Sequence, residues 1–280
     1  MSLPTNIGVY GGGRMGAGIA HAFLLAGASV TVIEADSAAA AAARGRVSAS
    51  LDKAAARGTL TEPVDRVQQR FTVATDPSAL AECGLVVEAV PEIVELKAQV
   101  LARIEEHAPE AKLATNTSSL SVDQLAGGLA RPERFLGLHF FNPVPASELV
   151  EIVVGAKTSA EMVTAAQGWV EALGKTAITV TDSPGFASSR LGVAIALEAM
   201  RMLEDGVASA EDIDTAMTLG YKHPMGPLRT TDVVGLDVRL AIAEHLAREV
   251  GDRFDPPAIL REKVAAGHFG RKSGQGFYTW

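Results

Sequence analysis

A glycine-rich turn near the beginning of the chain constrains the fold more than any other feature. Gly11, Gly13 and Gly16 have the spacing G-x-G-x-x-G, directly after the apolar run Asn6–Tyr10 and at the opening of the helical pattern Met15–Ala26. The first glycine permits a tight turn, the second lets the backbone approach a pyrophosphate, and the third lets helix and strand pack closely. The N–H groups at the start of the helix then face the anion. The turn predicts a dinucleotide-binding unit, although a glycine-rich turn beside a surface acid is the plain alternative.

An acidic residue after the next apolar run indicates which dinucleotide is bound. Glu34 follows Ser29–Ile33 and lies 18 residues beyond Gly16, close to the spacing of an acid that binds the adenosine ribose 2′-hydroxyl. Its charge repels a 2′-phosphate, so NAD is expected rather than NADP. Arg14, within the turn, weakens that preference. The residues expected to contact the nucleotide here are Gly11, Gly13, Arg14, Met15, Gly16 and Glu34.

Strand and helix patterns alternate through roughly residue 180. Eight short apolar runs predict strands: Asn6–Tyr10, Ser29–Ile33, Phe71–Ala74, Leu85–Ala89, Lys112–Thr115, Phe135–His139, Leu149–Val153 and Thr176–Val180. Helical patterns between several of them include Met15–Ala26, Ser37–Arg57 and Glu92–His107. Uninterrupted apolar strands that alternate with helices are typical of a parallel sheet covered on both faces. The fold class predicted is α/β, with a Rossmann-type, mostly parallel sheet domain.

The pattern changes at Asp182–Phe186, a Ser-Pro-Gly break, and mainly helical signals follow. Leu191–Leu203 is apolar almost all round, which is typical of a helix buried by other helices or by a second subunit. Ser209 opens a capping-box sequence. Leu236, Leu240, Ala243 and Ala247 form an apolar stripe at helical spacing. We therefore expect a nucleotide-binding domain at residues 1–183 and an all-helical C-terminal domain, for substrate binding and dimerisation, at 184–280.

One histidine and one glutamate occupy positions that suit acid–base chemistry. His139 ends an apolar run, a Pro-rich connection follows, and Glu151 lies twelve residues later inside a second apolar run. A carboxylate buried there needs a partner, because an unpaired charge is costly in apolar surroundings. A histidine held by a carboxylate has a fixed tautomer and exchanges a proton near neutral pH. A hydrogen-bonded core histidine beside a solvent-facing Glu151 is the competing interpretation.

Composition excludes several classes of protein. The net charge of −8 argues against general affinity for nucleic acid or anionic lipid. A single cysteine excludes an internal disulfide framework and favours a reducing cytoplasm. No run of about 18 uncharged apolar residues predicts a membrane span, and the beginning of the chain lacks the pattern of a signal peptide. The six histidines and the cysteine lack metal-ligand spacing, so no metal is expected.

Several ordered motifs together resemble the L-3-hydroxyacyl-CoA dehydrogenases, including the short-chain 3-hydroxybutyryl-CoA enzymes. Besides the glycine turn and the segment around His139, they are the segments at 116–119, 182–186, 211–214, 224–227 and 269–278. The likeness spans nearly the whole chain. It implies a reversible, NAD-dependent oxidation of a 3-hydroxyacyl-CoA to a 3-ketoacyl-CoA, performed by a cytoplasmic homodimer with substrate in a cleft between the two domains.

The resemblance also implies roles for individual residues. His139 takes the C3 hydroxyl proton, Glu151 orients its imidazole, and Ser118 binds the reacting oxygen near the nicotinamide. Further positions near the cofactor are Glu92, Lys97, Asn142 and Lys272, and those implied for CoA are Ser50, Arg57 and Lys97. Ser50 and Arg57 belong to a helix with four basic residues and one acid between 44 and 57, which from composition alone fits either CoA binding or a solvated helix face.

One position departs from the family pattern. The Pro-Gly-Phe turn is usually followed by an Asn-Arg pair whose Asn reaches the active site, whereas this chain has Ser189 before Arg190. A serine hydroxyl is shorter and cannot offer carbonyl and amide groups together, although it can bond through water. The departure concerns substrate orientation and chain length more than reaction type.

Two other functions compete with this interpretation. One is a related dehydrogenase of a 3-hydroxy acid without CoA, such as a sugar acid or carnitine. The other is a non-catalytic NAD-binding protein of the same fold, against which the joint presence of His139, Glu151 and Ser118 argues.

Overall fold

The structure is a computed structural model that describes residues 2–280. These residues divide into two compact units, one ending at Asp182 and the other comprising Ser183–Trp280. Within residues 2–280 the eight strands are β1 (Asn6–Tyr10), β2 (Ser29–Ile33), β3 (Phe71–Ala74), β4 (Leu85–Glu88), β5 (Lys112–Thr115), β6 (Phe135–Phe140), β7 (Leu149–Val154) and β8 (Thr176–Thr181). Each of the predicted strands is present, with ends within one residue of those expected.

The α-helices of the first unit alternate with its strands. They are α1 (Arg14–Leu25), α2 (Ser37–Ala56), α3 (Val64–Gln69), α4 (Val94–His107), α5 (Val122–Ala126) and α6 (Ala160–Ala172). The second unit contains α7 (Ser188–Glu204), α8 (Ala210–Thr215), α9 (Pro227–Val234), α10 (Leu236–Val250) and α11 (Ala258–Ala265), with a π-helical turn at Ala216–Gly220. The predicted α/β class, a mostly parallel Rossmann-type sheet followed by helices, is confirmed.

The strands form one sheet in the order β3-β2-β1-β4-β5-β6-β7-β8. The neighbours are parallel except β6 and β7, which are antiparallel. An antiparallel neighbour needs only a short connection, and residues 141–148 provide it. The chain runs outward from β1 to β3 and then returns to β4, so the strand order reverses between β1 and β4. In open α/β sheets this reversal creates a crevice at the carboxyl ends of the strands, where ligands bind.

Apolar periodicity determines which faces of the first unit are buried. In α2 the buried residues Ala43, Val47, Leu51 and Ala54 recur at helical spacing, and the carboxylate of Asp36 caps the helix by accepting from Ala39 N at 2.8 Å. By contrast α1 is buried from Gly16 to Leu24, because it packs directly on the central strands.

In the second unit, α7 is buried on one face and exposed on the other. Val193, Leu197 and Met200 join the core of this unit, whereas Leu191 is 64% exposed and Ile195 38% exposed. Within the single chain this helix is therefore buried on one side only, and burial of its other side by a second subunit stays a prediction. None of the helices in residues 2–280 is long and apolar enough to cross a membrane.

Two buried aspartates hold the loops and the C-terminal tail of the second unit. Asp214 accepts from Leu228 N and Arg229 N at the start of α9, and also from the Tyr278 hydroxyl at 2.7 Å. Asp232 accepts from Phe277 N, from Tyr278 N and from Trp280 Nε1 at 2.8 Å. The segment 224–227 is followed directly by the backbone N–H groups that Asp214 binds, and the segment 269–278 contains the N–H groups that Asp232 binds. These contacts give both motifs a structural explanation.

Candidate active site

The glycine turn joins β1 to α1 at the carboxyl edge of the sheet. Gly11 has φ +98, a conformation that favours glycine, and a Cβ there would lie 2.9 Å from the carbonyl oxygen of Ala89. A Cβ on Gly16 would collide with the carbonyl oxygen of Gly11, so helix and turn are in direct contact. A Cβ on Gly13 would meet no atom of the described residues within 4 Å. The turn is therefore closed on the protein side and open on the other.

The residues around this turn fit a dinucleotide. No side chain caps the start of α1 and its first turn contains no acid, so nothing there competes with a phosphate for the helix N–H groups. Glu34 follows β2, is half-buried, and accepts from Gly12 N at 2.7 Å through Oε1. Its carboxylate thus lies directly beside the turn, where an adenosine ribose would follow a pyrophosphate. Arg14 is exposed, and Met15 is half-buried in the first turn of α1.

A fully buried ion pair lies next to the turn. Glu88 ends β4 and is 0% exposed, and Lys97 on α4 is 1% exposed. Lys97 Nζ lies 2.8 Å and 3.0 Å from the two carboxylate oxygens of Glu88, and it donates to Val90 O at 3.1 Å. Glu88 also accepts from Thr115 Oγ1 at 2.6 Å and from Val90 N at 2.7 Å. The pair satisfies the buried carboxylate and fixes the loop that follows β4.

Glu92 connects this ion pair to the serine segment. Its Oε2 lies 3.4 Å from Lys97 Nζ, and its Oε1 accepts from Thr117 Oγ1 at 2.6 Å, from Ser118 N at 2.8 Å and from Ser119 N at 3.0 Å. Burial alone would raise the pKa of Glu92, but the charge of Lys97 and these hydrogen bonds outweigh burial and lower it. Glu92, Lys97 and Ser118 are thus brought together as one network. Lys97 faces carboxylates, which makes it a residue that positions Glu92.

His139 and Glu151 face each other across the antiparallel pair β6–β7, where they are direct register partners. His139 Nδ1 lies 2.7 Å from Glu151 Oε2. His139 is 6% exposed and Glu151 is 0% exposed. The ring of Phe141 packs against the imidazole with ring centroids 4.4 Å apart. The twelve-residue spacing therefore produces a short contact between a nearly buried imidazole and a buried carboxylate.

Two hydrogen-bonded contacts hold the connection between β6 and β7. Asn116, directly after β5, accepts from Phe140 N at 3.0 Å through its side-chain oxygen. Lys175 donates from Nζ to Val144 O at 2.8 Å and also to Ser147 O. The connection includes the cis peptide bond Asn142–Pro143, and the Asn142 side chain is exposed.

A basic cavity of about 710 Å³ opens between α1, α2 and this connection. Its lining contains four cations and no carboxylate: Arg14, Arg46, Lys53 and Arg57. Ser50 and Asn142 line the same space. A cavity of this size accommodates a ligand of drug size or larger, and its charge suits phosphates in an otherwise acidic protein. The structure thus brings Ser50, Arg57 and Asn142 together.

The floor of the basic cavity contains a buried histidine. His21 on α1 is 3% exposed, and its Nδ1 lies 3.0 Å from Ser50 Oγ. Burial, and secondarily the charge of Lys175, lowers the pKa of His21, so the ring is neutral at pH 7. A neutral ring orients the Ser50 hydroxyl toward or away from the cavity according to its tautomer.

Two predicted site residues belong to the second unit. Ser189 is half-buried in the first turn of α7. Lys272 Nζ forms a 2.6 Å ion pair with Asp237 Oδ2, with both side chains partly exposed. Among residues 2–280 no group of three or more histidine, cysteine or acidic residues is placed to hold a metal ion.

Sequence reasoning missed Glu88, Thr115 and His21. One pattern in the sequence could have identified Glu88. It ends an apolar strand nine residues before a lysine on the next helix, and this spacing is compatible with an ion pair. Thr115 ends β5, beside the end of β4. His21 has no local signal, because its contact with Ser50 depends on a residue 29 positions away.

Comparisons with known proteins agree with the geometry. The model of the family "3-hydroxyacyl-CoA dehydrogenase, NAD binding domain" matches residues 6–183, and the model of its C-terminal domain matches residues 185–280. A 3-hydroxybutyryl-CoA dehydrogenase of Mycobacterium tuberculosis is 41% identical over 279 residues, covering 98% of each chain. A probable 3-hydroxybutyryl-CoA dehydrogenase of Deinococcus radiodurans is 41% identical over 275 residues, covering 98% of this chain and 99% of that protein. The crystal structure of (S)-3-hydroxybutyryl-CoA dehydrogenase PaaH1 from Ralstonia eutropha superposes with a TM-score of 0.94 at 38% identity, covering 99% of each chain.

Proposed function

This chain belongs to the 3-hydroxyacyl-CoA dehydrogenase family, and from that premise we propose that His139, held by Glu151, moves the proton in the reversible oxidation of a short-chain L-3-hydroxyacyl-CoA to the 3-ketoacyl-CoA. The chain is an NAD-dependent oxidoreductase of 3-hydroxyacyl-CoA. The observation that carries the proposal is the 2.7 Å contact between His139 Nδ1 and Glu151 Oε2.

The pair determines which nitrogen exchanges the proton. Because Nδ1 is engaged with Glu151, the substrate hydroxyl transfers its proton to Nε2, and the carboxylate stabilises the imidazolium that forms. NAD, when bound at the glycine turn and Glu34, would supply the acceptor for the C3 hydrogen and its electron pair. Loss of that hydrogen and of the hydroxyl proton leaves the C3 carbonyl. In the reverse direction His139 returns the proton to the oxygen.

The network of Glu92, Lys97 and Ser118 positions the reacting groups. Glu92 holds the backbone of Ser118 and Ser119, and Lys97 keeps Glu92 ionised. Ser118 Oγ lies 3.3 Å from Glu92 Oε1, a long contact that the hydroxyl can exchange for the substrate oxygen. In this proposal Ser118 orients the C3 oxygen, whereas Glu92 and Lys97 lie near the nicotinamide end of the nucleotide. Ser189, Asn142 and Lys272 are carried over as further residues of the site.

The basic cavity is the proposed binding site for CoA. Its four cations are opposite in charge to the phosphates of CoA, and Ser50 and Arg57 are the residues that the family resemblance assigns to CoA. The relatives named 3-hydroxybutyryl-CoA dehydrogenase favour a short acyl group.

Steady-state assays test the substrate assignment. The purified protein should oxidise L-3-hydroxybutyryl-CoA with NAD and should be inactive on 3-hydroxybutyrate and carnitine without CoA. Turnover of a free hydroxy acid at a comparable kcat/KM would reject the CoA ester as substrate. Absence of turnover with every CoA ester would favour a non-catalytic NAD-binding protein.

A variant of Glu34 tests the nucleotide assignment. Glu34→Ala should lower the preference for NAD over NADP about 10-fold, because it removes a hydrogen bond to the ribose hydroxyl and a repulsive charge. The ratio of the two kcat/KM values measures the change, and Asp36→Ala, two residues further on, is the control. An unchanged ratio in Glu34→Ala would mean that another residue selects the nucleotide.

We also propose a homodimer formed through the helical unit, in the cytoplasm. Of ten large apolar side chains exposed in the described residues, nine lie in Ser183–Trp280, including Leu191 and Ile195 on α7. Contiguous exposed apolar surface marks interfaces. Light scattering should give twice the 29.1 kDa chain mass, and Leu191→Asp should lower it. Cys83 is the one cysteine of the chain and is buried, which suits a reducing compartment.

A further inference from the structure

Arg46 on α2 contacts both the glycine turn and the basic cavity of the first unit. Its Nη1 donates to the carbonyl oxygen of Gly12 at 3.1 Å, and its side chain lines the cavity of about 710 Å³. The N–H group of the same Gly12 donates to Glu34 Oε1 at 2.7 Å. Gly12 is therefore held from two sides, by Glu34 and by a cation of the basic cavity.

The spacing of residues on α2 explains how one helix reaches both places. A Cβ on Gly12 would collide with the Cβ of Ala43, which is fully buried, so this part of α2 packs directly on the turn. Arg46, Lys53 and Arg57 follow at helical spacing and line the cavity. At a rise of about 1.5 Å per residue they extend over about 16 Å, with Arg46 at the end nearest the turn.

Each of the two places attracts an anion. The turn suits the pyrophosphate of NAD, and the cavity, with four cations and no carboxylate in its lining, suits a ligand with phosphate groups. Anions on either side of Arg46 repel each other, and a cation between them offsets that repulsion. A guanidinium has five N–H donors in one plane, so Arg46 can keep its bond to Gly12 while other donors bind a phosphate.

We propose that Arg46 is a positioning residue shared by the two sites, which allows the pyrophosphate of NAD and the phosphates of a CoA ester to bind side by side. The inference rests on the proposed function, in which CoA occupies the basic cavity. Without the charge of Arg46 the two ligands weaken each other's binding, and by the same factor, because coupling between binding sites is reciprocal. A role confined to holding the turn would instead weaken NAD equally whether or not CoA is bound.

Binding titrations of the full chain with NADH and free CoA measure this coupling without turnover. Fluorescence gives the Kd for NADH with and without saturating CoA, and the ratio of the two values is the coupling. In Arg46→Met, CoA should raise the Kd for NADH about 3- to 10-fold more than in the wild-type protein, the size expected of charges near solvent. Arg46→Lys, which keeps the charge, should stay within about 2-fold of the wild-type ratio. The effect of Arg46→Met should shrink in about 0.5 M NaCl, because salt screens exposed charges.

Lys53→Met is the matched control, because it removes one positive charge from the same cavity about two helical turns further from the glycine turn. It should weaken the binding of CoA and leave the coupling within about 2-fold of the wild-type ratio.

Two results would overturn the inference alone. One is that Arg46→Met weakens NADH equally with and without CoA, and the other is that Lys53→Met changes the coupling as much as Arg46→Met does. Unchanged affinity for CoA in both Lys53→Met and Arg57→Met would reject the basic cavity as the CoA site, and the inference with it. If Arg46→Met binds NADH too weakly to titrate, Arg46→Gln, which can still donate to Gly12 O, takes its place in the comparison.

Discussion

Two buried acid–base pairs involve strands of the same sheet, and they differ in the basic side chain that each contains. In the Glu88–Lys97 pair, the Glu88 carboxylate accepts hydrogen bonds from Lys97, from Val90 N and from Thr115. The His139–Glu151 pair has an imidazole as its basic partner, and His139 Nδ1 lies 2.7 Å from Glu151 Oε2. The two pairs are similarly inaccessible, at 0–1% and 0–6% exposure.

Burial and ion pairing therefore do not by themselves identify a catalytic residue. Lys97 has its Nζ surrounded by two carboxylates and a carbonyl, so its proton has acceptors on several sides. The imidazole of His139 contacts the Glu151 carboxylate through Nδ1, and imidazole is the side chain that most often acts as a general acid or base. We infer that the first pair sets the geometry of the site, whereas the second takes part in the reaction.

Removal of His139 should give the largest effect on activity. His139→Ala should lower kcat by about 10²- to 10⁴-fold, because the general base is lost, while the Kd for NADH stays within about 2-fold. Stopped-flow or steady-state NADH formation measures the rate, and fluorescence titration measures the Kd. His107→Ala, a histidine at the end of α4, is the control and should keep its activity. Near-normal turnover of His139→Ala would show that His139 is not the general base.

Removal of Lys97 should give the largest effect on stability. Lys97→Met leaves Glu88 as an unpaired buried anion and should lower the free energy of unfolding by about 3–5 kcal/mol. Denaturant unfolding measures the change. The double variant Lys97→Met with Glu88→Gln should recover most of the loss, because no buried charge then remains. If Lys97→Met is as stable as the wild-type protein but inactive, the two pairs do not differ in the way described.

His21 provides a third, smaller test, since it is a buried titratable group held neutral. Its pKa is lowered in the folded protein, first by burial and then by Lys175, whereas the unfolded chain titrates near about 6.5. Protons therefore bind the unfolded chain more readily as the pH falls below about 6.5, and the protein loses stability. Between pH 7.5 and 5.5 the Tm of His21→Gln should fall about 2 °C less than that of the wild-type protein. His107→Gln should behave like the wild-type protein, and equal falls for His21→Gln would contradict the assignment.

The first unit was largely predictable because its signals are local. Apolar runs identify each strand, and the glycine spacing identifies the turn before α1. The pairing of His139 with Glu151 was also predictable, because two adjacent strands joined by a short connection place residues near its two ends opposite each other. These inferences need only periodicity and the cost of a buried charge.

The burial of Glu88 and the orientation of α7 depend on long-range contacts that no local sequence pattern specifies. Glu88 ends a strand like many acids at a sheet edge, and its burial follows from Lys97 and Thr115, which come from two other elements. The sequence does not show which side of α7 faces the core, because Leu191 and Ile195 on its exposed side are apolar like the residues on its buried side. Only the packing of the helices determines which side faces the core.

A double-mutant cycle tests most directly the central claim, that Glu151 acts through His139. Glu151→Gln should lower kcat about 10-fold or more when His139 is present, yet by less than about 2-fold in the His139→Ala background, because residues that act as a unit are not additive. If Glu151→Gln lowers kcat by the same factor in both backgrounds, the two residues act independently and the proposed mechanism is wrong.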